Sequence, residues 1–532
     1  MPTDTRSKRL ELSRRFALKA FGGSAIVGLS LLSGARAIAQ PIFQAYPFQL
    51  GIASGEPSAD GFVIWTRLAP EPFEIGYGMP SAPVEVEWQV ATDGRFTELV
   101  ANGIAIARPE LGHAVHVEVG GLEPNRPYFY RFFAGRERSP TGRSRTTPAI
   151  GQPIENVRFA IAGCQHYESG YYTAHKYLAQ EQADFVYCYG DYIYEGRGNR
   201  VWNSRNGPVV NVRQHFGQEI YTISDYRRRY AQYKMDTDLQ AAHASAPWFV
   251  TWDDHEIDNN WVTNEDQDGT PKYAFQLRQQ MAMQAYYEHM PLRASSMPMG
   301  NRMQIYRQAQ FGDLLDLNLL DTRSYRSNQP CEDRWGVECD AVWGKDLEVL
   351  GRAQEQWLYE KLGASKARWQ ALAQQIMVMD LDRQPGEGVT QNLDSWAGYR
   401  TPRARMLDQI KNLGRDSVIV LTGDEHQNYA GELHSNAKRP EAKPIATEFV
   451  TTSIASGGDG EDKRADTAAI QEENECLKWF NSQRGYVVCD VNRDQWLTEF
   501  KVVDKISTKG GTISTRKRMT VDQGVPGSLA EA

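Results

Sequence analysis

The sequence predicts an α/β protein, with a sheet-built core flanked by helices and preceded by a smaller all-β module. Three observations carry this reading. Before about residue 150, short runs alternate apolar and polar residues between turn signals, as half-buried strands do. From Asn156 onward, strand-like runs alternate with helical stretches, the pattern of a sheet covered by helices. Four of the later runs end in Asp, His or Cys just past a buried strand, where α/β proteins assemble their sites. At 532 residues and 41% hydrophobic, the chain can bury a large core and hold more than one domain.

Residues 1–39 read as an address. Ser13-Arg14-Arg15-Phe16-Ala17-Leu18-Lys19 is a twin-arginine pattern, and the apolar stretch from Phe21 to Leu32 is too short to cross a bilayer as a helix. Small residues in Ala37-Ile38-Ala39 predict cleavage before Gln40. The expected partner is therefore the twin-arginine export machinery, and the expected location is periplasmic or extracellular. No later segment is apolar and long enough to span a membrane.

Residues 45–150 form the first module. Gly61–Thr66, Val84–Val90 and His113–Val119 alternate as strands, and Leu122 to Phe132 resembles the loop and strand entry of fibronectin type III modules. A β-sandwich is expected, with Trp65 and Trp88 inward. Arg138 to Pro153, rich in Ser, Thr, Pro and Gly, reads as the linker. Residues 154–510 form the larger unit, with helices expected at Tyr171–Gln182 and Arg352–Ser365, and residues 511–532 read as a tail. Gly196 to Asp236 lacks strand periodicity and is expected to cover or flank a site. Cys331 and Cys339 flank a short loop and Cys476 and Cys489 bracket a turn, so each pair is expected as a local disulfide.

The chemistry lies in the strand ends. Phe185 to Cys188 leads to Asp191, Trp248 to Thr251 to Asp253-Asp254-His255, Val418 to Thr422 to Asp424-Glu425-His426, and Val157 to Ala162 to Gly163-Cys164. Any one Asp could be a hydrogen-bonded turn residue, and a lone Cys is more often a buried apolar side chain than a ligand. Asp and His on separate loops suit a multinuclear metal centre that activates water and clamps a phosphoryl group. Asp191 suits a bridging carboxylate. Two adjacent Asp residues on a strand point to opposite sides, so one of Asp253 and Asp254 is expected as a ligand. His255 is a candidate acid for a leaving oxygen, or else an orienter. Arg323, after the strand Leu314–Leu320, could contact phosphate bidentately or serve as a structural ion-pair arginine.

Gly163-Cys164, Gly190-Asp191-Tyr192-Ile193-Tyr194-Glu195, Trp252 to Asn260, Asp321-Thr322-Arg323 and Thr422 to His426 together resemble the PhoD-type alkaline phosphatases/phosphodiesterases. The resemblance runs in order from about Phe48 to the C-terminal region. It implies a calcineurin-like metallophosphoesterase core of two facing sheets behind the fibronectin-III-like β-sandwich. It also implies one ferric iron (Fe3+), held by Cys164, Asp191, Tyr194, Asp424 and His426, with calcium (Ca2+) drawing on Asp191, Asp253 and Asp254.

The expected function is hydrolysis of phosphate mono- and diesters, with small-molecule, lipid or polyol phosphate esters as substrates. A phospholipase D-like phosphodiesterase is the second enzymatic reading. From another class, the chain could be a wall- or carbohydrate-binding protein with a structural metal core. Net charge −8 and the absence of a basic run beyond the N-terminus argue against a nucleic-acid surface.

Overall fold

Alternation in the first segment becomes strands whose apolar residues face one another. The computed structural model describes residues 42–532 except 200–201, 205–206, 333–334, 338 and 436–442. The export signal expected at residues 1–39 lies outside the described residues. The first module holds β1 (Ile52–Ser58), β2 (Gly61–Arg67), β3 (Val84–Ala91), β4 (Leu99–Ala107), β5 (Ala114–Val119), β6 (Pro127–Ala134), β7 (Glu137–Arg138) and β8 (Gly142–Arg145). β3, β4, β6, β7 and β8 form one sheet, against which β1, β2 and β5 make the second layer. Phe62 and Ile64 meet Val86, Tyr130 and Phe132 in the core between them. Trp65 is buried and Trp88 half-buried.

Next come β9 (Asn156–Ala162), α1 (Thr173–Leu178), β10 (Phe185–Cys188), the short hairpin β11 (Trp202–Ser204) and β12 (Gly207–Val209), α2 (Ile223–Lys234), α3 (Thr237–Ser245), β13 (Pro247–Val250) and α4 (Lys272–His289). β9, β10 and β13 run parallel. β13 also pairs in parallel with β1, so one layer of the expected sandwich is continuous with the core sheet.

The second half supplies β14 (Arg307–Phe311), β15 (Leu315–Leu319), β16 (Trp335–Gly336), α5 (Gly351–Ala364), β17 (Trp369–Ala373), β18 (Gln391–Asn392), α6 (Arg400–Asn412) and β19 (Val418–Thr422). It ends with β20 (Asn428–Leu433), β21 (Ala446–Val450), α7 (Thr467–Glu473), β22 (Leu477–Asn481), β23 (Gly485–Asn492), β24 (Gln495–Val503), β25 (Ile513–Asp522) and β26 (Ala530–Glu531). Two large sheets result, one in the order β26-β25-β24-β23-β9-β10-β13-β1-β2-β5 and one in the order β14-β15-β17-β19-β21-β20-β22. Residues 511–532 thus add β25 and β26 at the edge of the first sheet.

The two sheets face each other across Phe159, Ile161, Phe185 and Val487 on one side and Leu317, Ala371, Leu421 and Phe449 on the other. α1, α2, α3 and α4 cover the outer face of the first sheet, and α5 and α6 cover the second. Parallel strands buried on both faces explain the continuous apolar runs in the sequence. The expected core of facing sheets wrapped by helices is what forms.

Besides the tail, which adds strands to the first sheet, two more readings change. Cys331 and Cys339 are bonded, but Cys476 and Cys489 are free. Cys489, on β23, points into the core between the sheets, while Cys476 packs with the helical layer outside the second sheet. A sheet separates the two thiols. In the stretch from Gly196 to Asp236, α2 was not foreseen, because its buried face is made of Tyr226, Tyr230 and Tyr233 rather than aliphatic residues.

Candidate metal centre

β9, β10 and β13 of one sheet and β19 of the other end at the same rim, which brings their four loops together. Tyr189 wedges the loops into place. A Cβ on Gly163 would lie 2.4 Å from its ring and one on Gly423 2.1 Å, so both positions need glycine for close approach. Cys164 (φ 47°), Asp191 (54°), Asp424 (62°) and His426 (53°) all adopt left-handed backbone conformations. Such strain costs on the order of 1–3 kcal/mol per residue and persists where the surroundings over-determine it.

The side chains converge. Asp191 Oδ2 lies 3.3 Å from Cys164 Sγ and accepts from Tyr194 Oη at 2.8 Å, and Tyr194 Oη is 3.2 Å from His426 Nε2. Ligand atoms of Cys164, Asp191 and His426 lie within 4.8 Å of one another, as do those of Asp191, Asp254 and His255 and those of Asp253, Asp254 and Asp424. Asp191 links the first two groups. β13 ends at Val250, so Asp253 and Asp254 sit in the following loop, free of the alternation of a strand. Strand alternation therefore does not apply to them, and an oxygen of each lies within 4.8 Å of one of Asp424. Asp424 groups with this pair, while the resemblance set it beside Cys164.

Arg323 is fully buried and committed to carboxylates. Its Nε donates to Asp253 Oδ1 at 2.6 Å, and its Nη1 pairs with Asp394 at 2.9 Å. Ion pairs account for Nε and Nη1, while Nη2 lies 3.9 Å from Asp254 Oδ1 and has no hydrogen-bond partner among the described residues. His255 Nδ1 lies 2.7 Å from Glu195 Oε2, and its ring stacks on Tyr194 at 4.0 Å. Glu256 ties two of the loops, accepting from the N–H of Tyr192 at 2.6 Å and of Asp253 at 2.9 Å. Glu195 and Glu256 lie inside the sequence motifs, but each takes a partner from another loop. Asp394 is distant in sequence and left no signal.

The family follows from a comparison of the whole chain. Residues 34–148 match the PhoD-like phosphatase N-terminal domain, and residues 159–500 match the PhoD-like phosphatase domain. The chain belongs to the PhoD-like phosphatase family. It is 46% identical over 502 residues to alkaline phosphatase D of Bacillus subtilis (strain 168), covering 93% of this chain and 85% of that protein. A solved structure described as that of PhoD superposes with a TM-score of 0.90 at 46% identity, covering 92% of this chain and 93% of the other. The protein is a phosphoric ester hydrolase, and its substrates are phosphate esters.

The PhoD-like site has the electrostatics of a cation-binding centre. Burial, reinforced by neighbouring carboxylates, pushes Asp191 and Asp424 well above the usual carboxylate range. Burial also raises Asp253, against the opposing pull of Arg323. Asp254 resists its own burial and stays low because His255 and Arg323 flank it. Burial would make His255 harder to protonate, but Glu195, Asp254 and Asp191 outweigh it and raise the imidazole well above its ordinary value. Burial and then Asp191 raise both the Cys164 thiol and the Tyr194 phenol. Asp191 Oδ1, Asp253 Oδ2 and Asp254 Oδ1 are buried without hydrogen-bond partners. Crowded anionic groups with orphaned oxygens fit multivalent cations, which satisfy those oxygens and favour the ionised forms.

Proposed function

We propose that this enzyme hydrolyses phosphate mono- and diesters outside the cytoplasm with a ferric iron and calcium centre. Cys164, Asp191, Tyr194, Asp424 and His426 would hold the iron, and Asp191, Asp253 and Asp254 the calcium. The observation that carries this reading is Asp191, whose Oδ2 faces Cys164 and Tyr194 while its orphaned Oδ1 is left for a second cation. A thiolate and a phenolate suit iron, and the carboxylates of Asp191, Asp253 and Asp254 suit a hard cation. Bound metals of this kind acidify water and offset phosphate charge.

The protein's own groups do the rest. Arg323 keeps Asp253 in place and is a positioning residue. Glu195 holds Nδ1 of His255, which leaves Nε2 to give a proton to the ester oxygen as its bond to phosphorus breaks. Export by the twin-arginine route, from the Arg14-Arg15 pair, would carry the enzyme out already folded.

Metal analysis of protein exported by its own signal, with a panel of mono- and diesters, tests this. Iron and calcium should co-purify, both ester classes should be cleaved, and Asp191→Asn should lose both metals and several orders of magnitude in turnover. Full activity in Asp191→Asn, or fully active iron-free wild-type protein, would refute the centre as proposed.

A further inference from the structure

We propose that the loop from Ser453 to Gly458, after β21, is a fifth loop of the centre, whose Ser456 positions the Tyr194 hydroxyl while Arg484, from outside the loop, fixes the His426 turn. This rests on the reading that Cys164, Tyr194 and His426 hold a metal. None of these loop residues belongs to a strand-end motif.

Ser456 is buried, and its hydroxyl touches three parts of the site. Its Oγ lies 2.8 Å from Tyr194 Oη, donates to the Cys164 carbonyl at 2.9 Å and accepts from the His166 N–H at 3.1 Å. Tyr194 Oη is thereby set among Ser456, Asp191 and His426, which a phenol free to swing on its χ angles would not be. The loop is fastened on the same side: the N–H of Ile454 donates to the Gly163 carbonyl at 2.9 Å and that of Ala455 to the Cys164 carbonyl at 3.3 Å. Ser453 Oγ closes the turn on the Ser456 carbonyl at 2.8 Å.

Arg484, just before β23, braces the other end. Its Nε donates to the Gly458 carbonyl at 2.7 Å and its Nη2 to the Gly457 carbonyl at 3.1 Å, while Nη1 donates to the His426 carbonyl. Among the described residues no carboxylate forms an ion pair with it, so a buried guanidinium spends its donors on two loops at once. Gly457 (φ +83°) passes so close that a Cβ there would lie 3.2 Å from Nη2. The bond to the His426 carbonyl holds a residue whose left-handed backbone would otherwise relax. Donors satisfying buried carbonyls would serve stability alone. Their convergence on Cys164, Tyr194 and His426 is what points to metal retention.

The test uses holoenzyme and compares Ser456→Ala, Ser456→Thr and Arg484→Lys with wild type. Groups that orient metal ligands contribute about 10–100-fold in metal affinity. Ser456→Ala should therefore lose metal to EDTA about 10-fold faster and shift the visible absorption. It should lower kcat with KM unchanged, and its unfolding midpoint in EDTA should match wild type. Ser456→Thr should restore all of these, and Arg484→Lys should lose metal faster than wild type. Wild-type spectrum and EDTA loss rate in Ser456→Ala would overturn the proposal, as would metal loss matched by equal destabilisation of the metal-free protein. Wild-type holoenzyme without any metal would instead fail the earlier reading of the centre.

Discussion

Removing the Arg323 guanidinium tests the buried charge balance most directly. Arg323 and Asp253 are both fully buried and in contact at 2.6 Å, so Arg323→Met strands a carboxylate that water cannot reach. Breaking one partner of such a pair costs about 3–5 kcal/mol. The lower end applies here, because Arg326 still pairs with Asp394 after the change and His255 still flanks Asp254, so Asp253 is the carboxylate that loses its direct partner. The stranded carboxyl can escape by taking up a proton. Its pKa is already raised by burial, and losing Arg323 raises it further. A raised carboxylate binds a proton more readily folded than unfolded, so its destabilising effect grows as pH rises above the unfolded carboxylate range. Denaturant unfolding of EDTA-treated protein should then show a deficit of about 3 kcal/mol at pH 8 that is smaller at pH 5. Adding back metal should narrow the deficit at pH 8, since a cation beside Asp253 replaces part of the lost charge. A deficit independent of both pH and metal would show that Arg323 contributes packing alone, and the ion-pair reasoning would be wrong.

Cys164→Ser should leave the fold intact, since one buried thiol contributes little packing, while removing the visible colour expected of thiolate and phenolate on iron. An unchanged spectrum would remove Cys164 from the centre. His255→Ala should retain metal and slow esters with poor leaving groups more than those with good ones. Equal slowing across a leaving-group series would argue against proton donation. Lys234 is buried over the ring of Trp65 at 4.3 Å, and burial lowers its pKa to about 7. The unfolded chain keeps that lysine protonated up to its ordinary value of about 10.4, so the stability tied to it rises with pH between the two values. Lys234→Met should accordingly stabilise the protein most below pH 7, and parallel pH profiles of unfolding midpoint for the two proteins would count against it.

The sequence by itself determined the layers and the four strand-end loops that meet at the candidate site. Apolar runs such as Val418 to Thr422 are continuous because parallel strands between two layers meet apolar neighbours on both faces, and a side chain just past such a run has little choice of location. Gly163, Gly190 and Gly423 were legible as strand-end signals before their close contacts with Tyr189 and Asp253 were visible. Groups whose partners are remote in the chain were not legible. Asp394 acts through Arg323, 71 residues away, and Arg484 through His426, 58 residues away, and neither sits in a periodic pattern or a motif. The same limit explains Cys476 and Cys489. Their short separation suggested a bond, but strand pairing placed a sheet between them. The approach of both Asp253 and Asp254 to Asp424 was equally hidden, because alternation holds only while the chain stays in the pleat, and β13 ends three residues earlier. Local pattern records what each residue needs from its immediate surroundings. Which distant group meets that need is decided when the two sheets close against each other.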